Sequence, residues 1–222
     1  MRRTHPSTSN VTQLSPYTCP MADRGSKSSG VRQDRREAIA RAAVEVLATQ
    51  GLRGLTHRAV DAAAGFNPGA VNYHAPTREH LLLFALDEVF AADMGTAVSN
   101  FSGLTEVSPL TKSIVVERLT GFVHSMTLGD ARNRVLARLA LMGEAQINPV
   151  IRERFDNQRA MLVSFVAQLV DTLDPSQNDF GAEMLVVAIE GLIQRQVTIG
   201  AVPLTDQLPK IIEALLESWD AT

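Results

Sequence analysis

Three histidines, His57, His74 and His80, fall close together in this 222-residue chain and are the first residues to ask for chemistry. A zinc site needs three or four imidazole, thiolate or carboxylate donors at ligand spacing. The one cysteine, Cys19, lies well upstream, and no carboxylate pattern completes the set. Nor does the chain carry a glycine-rich phosphate loop, a nucleophile elbow or paired metal-ligand spacing. Its carboxylates are scattered through helices as solvated faces would be. The reading is therefore of a protein that is not an enzyme and needs no cofactor or metal.

What this stretch does carry is punctuation. In LTHRAVDAAAGFNPGAVNYHAPTREHL, Leu55 to Leu81, Thr56 precedes a short apolar-patterned run, His57 to Ala63, and can cap it with its hydroxyl. Ala64-Gly65-Phe66 follows, a turn whose glycine suits positive φ. Asn67-Pro68 is a compact helix start, with asparagine as N-cap and proline at N1, where its missing N–H costs nothing. The second short helix then runs from Pro68 to about Tyr73 and ends in His74-Ala75-Pro76. Two short helices joined by a glycine-containing turn make a helix-turn-helix unit, and that unit reads as a DNA reader.

The elements that must position it begin with a helix from about Val31. Ala38, Ile39, Ala42, Ala43, Val46 and Leu47 recur at the spacing of one buried face, and Gly51 is a plausible C′ residue. With the two short helices this gives a three-helix domain over residues 31–80. Arg32, Arg35 and Arg36 either meet a DNA backbone or form an ordinary solvated face. Residues 1–30, rich in Ser, Thr, Pro and Gly, read as a disordered basic and polar leader; Met21 is an alternative start of translation. Charge is segregated, with residues 1–80 at +5 and residues 81–222 at −8 within a net −3. Phosphate attraction would favour that arrangement. A lone cysteine fits a reducing cytoplasm, and no apolar run approaches the ~20 residues needed to span a bilayer.

The run from Gly51 to Leu82 resembles the N-terminal domain of TetR-type transcriptional regulators. The match lies in Thr56, in Ala64-Gly65-Phe66, and in Tyr73-His74-Ala75-Pro76-Thr77-Arg78 with Leu81. The chain departs from the pattern at Ala75, where a phenylalanine is usual, and at Phe66, which replaces a smaller aliphatic residue and would refill some of that volume. The resemblance implies that the second short helix enters the major groove, with Asn67, Pro68, Gly69, Ala70 and Asn72 nearest the base edges. Asn72 would pair with adenine, and Pro68 and Ala70 would touch a thymine methyl. Thr56, Arg58, Tyr73, His74 and Arg78 would contact phosphates.

The rest, residues 81–222, reads as a larger helical domain. Thr77 and Glu79 open a helix to about Val98, and others follow at about 110–128, 131–146 and 149–173, the last restarted by Asn148-Pro149. No strand-like alternation persists, so the expected fold is all-α. Met184, Ala188, Gly191 and Leu192 lie in a segment apolar nearly all round, and Ile212, Leu215, Leu216 and Trp219 belong to an amphipathic stripe. Together they suggest a homodimer built on a four-helix interface, presenting two readers to a palindromic operator. A small-molecule effector would sit among apolar side chains. The candidates are Phe90, Met94, Phe122, Met126, Met142, Met161 and Phe165, with His124 and Gln168 as polar contacts. The expected function is a dimeric, sequence-specific DNA-binding regulator, a repressor released by an effector. The rival is a helical adaptor whose N-terminal domain binds protein.

Overall fold

The computed structural model describes residues 25–174, 176, 178–199, 204 and 206–217. Among them the fold is all-α, with no strand. Helix α1 (Gly25–Gly54) begins six residues before the expected Val31. Its regular course breaks where expected, at Gly51, whose φ of 65° and ψ of −172° are open to glycine and strained for other residues.

Helices α2 (His57–Ala63) and α3 (Ala70–His74) follow, then α4 (Arg78–Phe101). The anticipated caps of α2 and α4 are present. The Thr56 hydroxyl accepts the Ala59 N–H at 3.1 Å, and the Thr77 hydroxyl accepts the His80 N–H at 3.2 Å. A 3-10 turn at Leu104–Glu106 leads to α5 (Lys112–Met126), α6 (Gly129–Glu144) and α7 (Pro149–Leu173). Asn148 caps α7, its Oδ1 accepting the N–H groups of Val150 and Ile151. The described chain ends with α8 (Asn178–Thr198) and α9 (Leu208–Glu217).

Two apolar cores organise these helices. The first joins α1 to α4, with Ile39, Leu47, Leu55, Val60, Val71 and Leu81 all but inaccessible. It also takes in Ala137 and Leu141 of α6, Ala145 just beyond it, and Ile151 of α7. The three-helix unit thus shares its interior with the body. Ala75 is fully buried here and Phe66 packs at the edge. The Ala75 carbonyl accepts a hydrogen bond from the His57 Nε2–H at 2.5 Å.

The second core joins α5, α6, the end of α7, α8 and α9. It corrects part of the expected subunit interface. Ile212 and Leu216 are fully buried within their own chain, on the face of α9 that packs against α5. The amphipathic stripe is real, but its innermost residues serve the internal core. Met184, Ala188, Leu192 and Leu215 are half-buried and Gly191 is exposed. Trp219 lies outside the described residues.

Candidate nucleic-acid interface and cavity

The reader is framed by Asp61, a residue the sequence did not single out. It sits in α2 with 4% of its surface exposed. One carboxylate oxygen accepts the Gly69 N–H at 2.8 Å and the other the Val71 N–H at 2.8 Å. These are two of the N–H groups at the start of α3 that lack partners within the helix. Asp61 therefore does for α3 what Asn67 was expected to do. The Asn67-Pro68 start is corrected accordingly. Both residues belong to the turn, the Asn67 carbonyl accepts the Ala70 N–H at 3.1 Å, and α3 begins at Ala70. The N-cap is Gly69, at a φ of 91° that L side chains rarely adopt. Gly65, at φ 67°, reverses the chain after α2 as anticipated.

This frame buries Val71 and turns Asn67, Pro68, Gly69, Asn72 and Tyr73 outward. Tyr73 is 78% exposed, with its ring edge-on to His74 at 5.1 Å between centroids. Thr56 and Arg58 are also exposed, whereas Ala70 and His74 are half-buried. The short protruding helix carries an amide, a phenol and a guanidinium from α2, a set suited to base edges and phosphate oxygens.

Arg78 is engaged differently from the expected phosphate contact. Its guanidinium donates to the Leu55 carbonyl at 2.6 Å and the Leu52 carbonyl at 2.7 Å. It ties the start of α4 to the chain leaving α1. The three histidines are likewise occupied apart: His57 on Ala75, His74 against Tyr73, and His80 sharing a 2.6 Å hydrogen bond with the Thr77 hydroxyl. Among the described residues no group of His, Cys, Asp and Glu is placed to hold a metal ion. No described helix is long and apolar enough to cross a membrane.

Behind the reader the body holds a partly open cavity of about 360 Å³ bounded by α4 to α8. Phe90, Met94, Phe122, Met126, Met142 and Phe165 line it. His124, Met161 and Gln168 do not: Met161 and Gln168 point to solvent, and His124 lies half-buried elsewhere on α5. Helical periodicity assigned these three to an apolar helix without fixing which face meets the cavity. The polar wall comes instead from residues including Asp93, Arg138, Arg159 and Glu190. Asp93 accepts from Arg134 Nε at 2.7 Å and Arg138 Nη1 at 3.2 Å. Burial pushes its carboxyl above the usual range, while the charge of Arg138 and the hydrogen bond and charge of Arg134 pull it back. Arg159 pairs with Glu183 and, at 3.3 Å, with Glu190, tying α7 to α8. The hydrogen bond and charge of Glu183, with those of Glu190, hold the guanidinium's pKa above its ordinary value.

The cavity and the reader meet through shared side chains. Phe90, Ala145 and Phe155 line the cavity and also belong to, or pack against, the core beneath α1 to α3. The Phe90 and Phe155 rings lie edge to face, 5.2 Å apart.

Comparison with known proteins places this arrangement. Residues 39–84 match the family described as bacterial regulatory proteins, tetR family, and residues 111–218 match the tetracyclin repressor-like C-terminal domain. No curated protein matches the chain in sequence. Solved structures share the fold. One is described as a putative TetR-family transcriptional regulator from a Rhodococcus species, 23% identical, covering 84% of this chain and 98% of its own, with a TM-score of 0.63. A second is a putative transcriptional regulator from Saccharomonospora viridis in complex with choline, 20% identical, with coverages of 83% and 96% and a TM-score of 0.68. A third is the multidrug binding protein EbrR complexed with imidazole, 19% identical, with coverages of 82% and 94% and a TM-score of 0.59. With one domain matched over the framed reader and the other over most of the helical body, the chain belongs to the TetR family of bacterial transcriptional regulators.

Proposed function

We propose that the protein is a homodimeric, sequence-specific DNA-binding repressor released from a palindromic operator by a small molecule. The observation that carries this reading is the shared wall. A ligand among Phe90, Ala145 and Phe155 touches side chains that also support the reader, so occupancy and reader position are mechanically linked. Ligands named with two proteins of the same fold, choline and imidazole, support a cavity of this kind as a binding site. Asn72 then reads bases, while Thr56, Arg58 and Tyr73 position the duplex.

Dimerisation uses the outer face of α8, where Val187 and Gly191 are exposed and Met184, Ala188 and Leu192 half-buried, extended by Ile211 and Leu215 of α9. Pairing there sets two readers on successive major-groove faces, about 34–36 Å apart for adjacent half-sites. Titration of DNA from upstream of the gene, by fluorescence anisotropy at several salt concentrations, tests the reading. Specific binding that weakens steeply with salt is expected. Absence of a specific complex at low salt overturns it in favour of a protein-binding adaptor.

A further inference from the structure

The Asp93 cluster has an unbalanced charge in a place where balance matters. One carboxylate lies between two guanidiniums, and the side chains of Asp93, Arg134 and Arg138 are only 9%, 15% and 17% exposed. Arg134 gives Nε to Asp93 and an Nη2 hydrogen to the Thr96 hydroxyl at 3.1 Å, and it does not line the cavity. Arg138 gives one N–H to Asp93. Its other donors have no protein acceptor among the described residues, and its side chain forms part of the cavity wall. A partly desolvated guanidinium with spare donors beside an empty volume is a receptor for an anion.

The remaining charges do not cancel this preference. Arg152 and Asp156 are exposed and offset each other. Arg159 between Glu183 and Glu190 carries the opposite imbalance, but those side chains are 39–47% exposed and their field is screened by solvent. The buried pole therefore dominates inside the cavity. The pole also does not reverse if Asp93 takes up a proton, since that adds to the positive surplus. The walls around it supply the second half of the chemistry. Of the eight phenylalanines in the chain, five (Phe90, Phe101, Phe122, Phe155 and Phe165) face the cavity, which suits an aromatic or aliphatic body.

Resting on the effector reading above, we propose that the cavity takes an amphipathic monoanion, a carboxylate with an aryl or alkyl body, whose head group bonds Arg138 and whose body lies among the phenylalanines. The test is a matched series on the full-length protein: 4-phenylbutyrate, 4-phenylbutan-1-ol and 4-phenylbutylamine by isothermal titration calorimetry. The acid binds at least about tenfold more tightly than the alcohol, the ratio expected of a charge-assisted hydrogen bond, and the amine binds most weakly. In Arg138→Gln the acid falls to the affinity of the alcohol, while Arg138→Lys keeps part of the preference. Should Arg138→Gln fail to fold by circular dichroism, the wild-type series decides alone. Equal affinities, a preference for the amine, or no binding of the acid at millimolar concentration overturns the proposal. Operator release is measured separately by anisotropy. An acid that binds without loosening the operator overturns the effector reading and leaves the anion site standing. Release by the amine, with the acid inert, overturns the anion site and leaves the effector reading intact.

Discussion

The Asp61 carboxylate accepts the Val71 backbone N–H at 2.8 Å, fixing the first turn of α3 from a position in α2. Its other oxygen holds Gly69, so one side chain sets both the start of the outward helix and the angle between the two helices.

Replacing Asp61 by alanine leaves the buried Val71 N–H and the part-buried Gly69 N–H without their acceptor, a loss of about 2 kcal/mol. Urea denaturation followed by circular dichroism will show it, and affinity will fall alike for every DNA sequence. Asp61→Asn retains one acceptor and loses less. An unchanged denaturation midpoint for Asp61→Ala would mean that α3 is held by its packing alone.

Gly69 offers a cleaner backbone test, since a Cβ there would meet nothing within 4 Å. Any cost of Gly69→Ala is then conformational, about 1–2 kcal/mol at φ 91°. Gly69→Asn will cost less, because asparagine tolerates left-handed backbone. Equal stability of all three proteins would remove the strain account.

Arg78 and Asn72 should separate by salt dependence and by sequence preference. Arg78→Ala, which loses its hold on the Leu52 and Leu55 carbonyls, is expected to destabilise the fold by about 1 kcal/mol and to weaken all complexes without changing the salt slope. Lysine will not restore it, lacking a planar fork to reach both carbonyls. Asn72→Ala will alter discrimination between sites while leaving stability unchanged. A salt slope shallower by about one unit in Arg78→Ala would make it a phosphate contact after all.

Asp93 gives a pH prediction with a definite sign. Its folded pKa is raised above 3.8. Between those two values the folded state binds more protons than the unfolded one, so stability falls as pH rises. The contribution is fully present below pH 3.8 and lost as pH climbs through the folded pKa. Stability of the wild type relative to Asp93→Asn, from urea titrations across pH 3 to 8, should therefore decline through that window and then level off. A difference that rises with pH would show that the two arginines outweigh burial.

The outer and inner faces of the last helices make opposite predictions. Val187→Arg, on the exposed face of α8, should give a folded monomer by light scattering. Ile212→Arg, fully buried, should unfold the body, since a buried charge without a partner is not tolerated. A folded dimer in the Val187 variant would move the interface elsewhere.

Local signals in the sequence were strong and long-range ones silent. Thr56, Thr77 and Asn148 announced their caps because each bonds within two or three residues. The 149–173 helix was legible to the residue, between Asn148-Pro149 and the break after it. Asp61 was invisible because its partners lie eight and ten residues away, and an acid among alanines reads as a solvated face. Asp93 was hidden more deeply, with arginines 41 and 45 positions downstream. For Ile212 and Leu216 periodicity found the apolar stripe, yet it carries no mark separating a chain's own interior from a neighbour's surface.

The edge-to-face contact of Phe90 with Phe155 joins the cavity wall to the core shared with α1 to α3. On the effector reading proposed above, a guest that parts those rings would press on side chains that also pack beneath α1 to α3. Small movements at the rings would then be levered outward along the helices, growing with distance from the fulcrum.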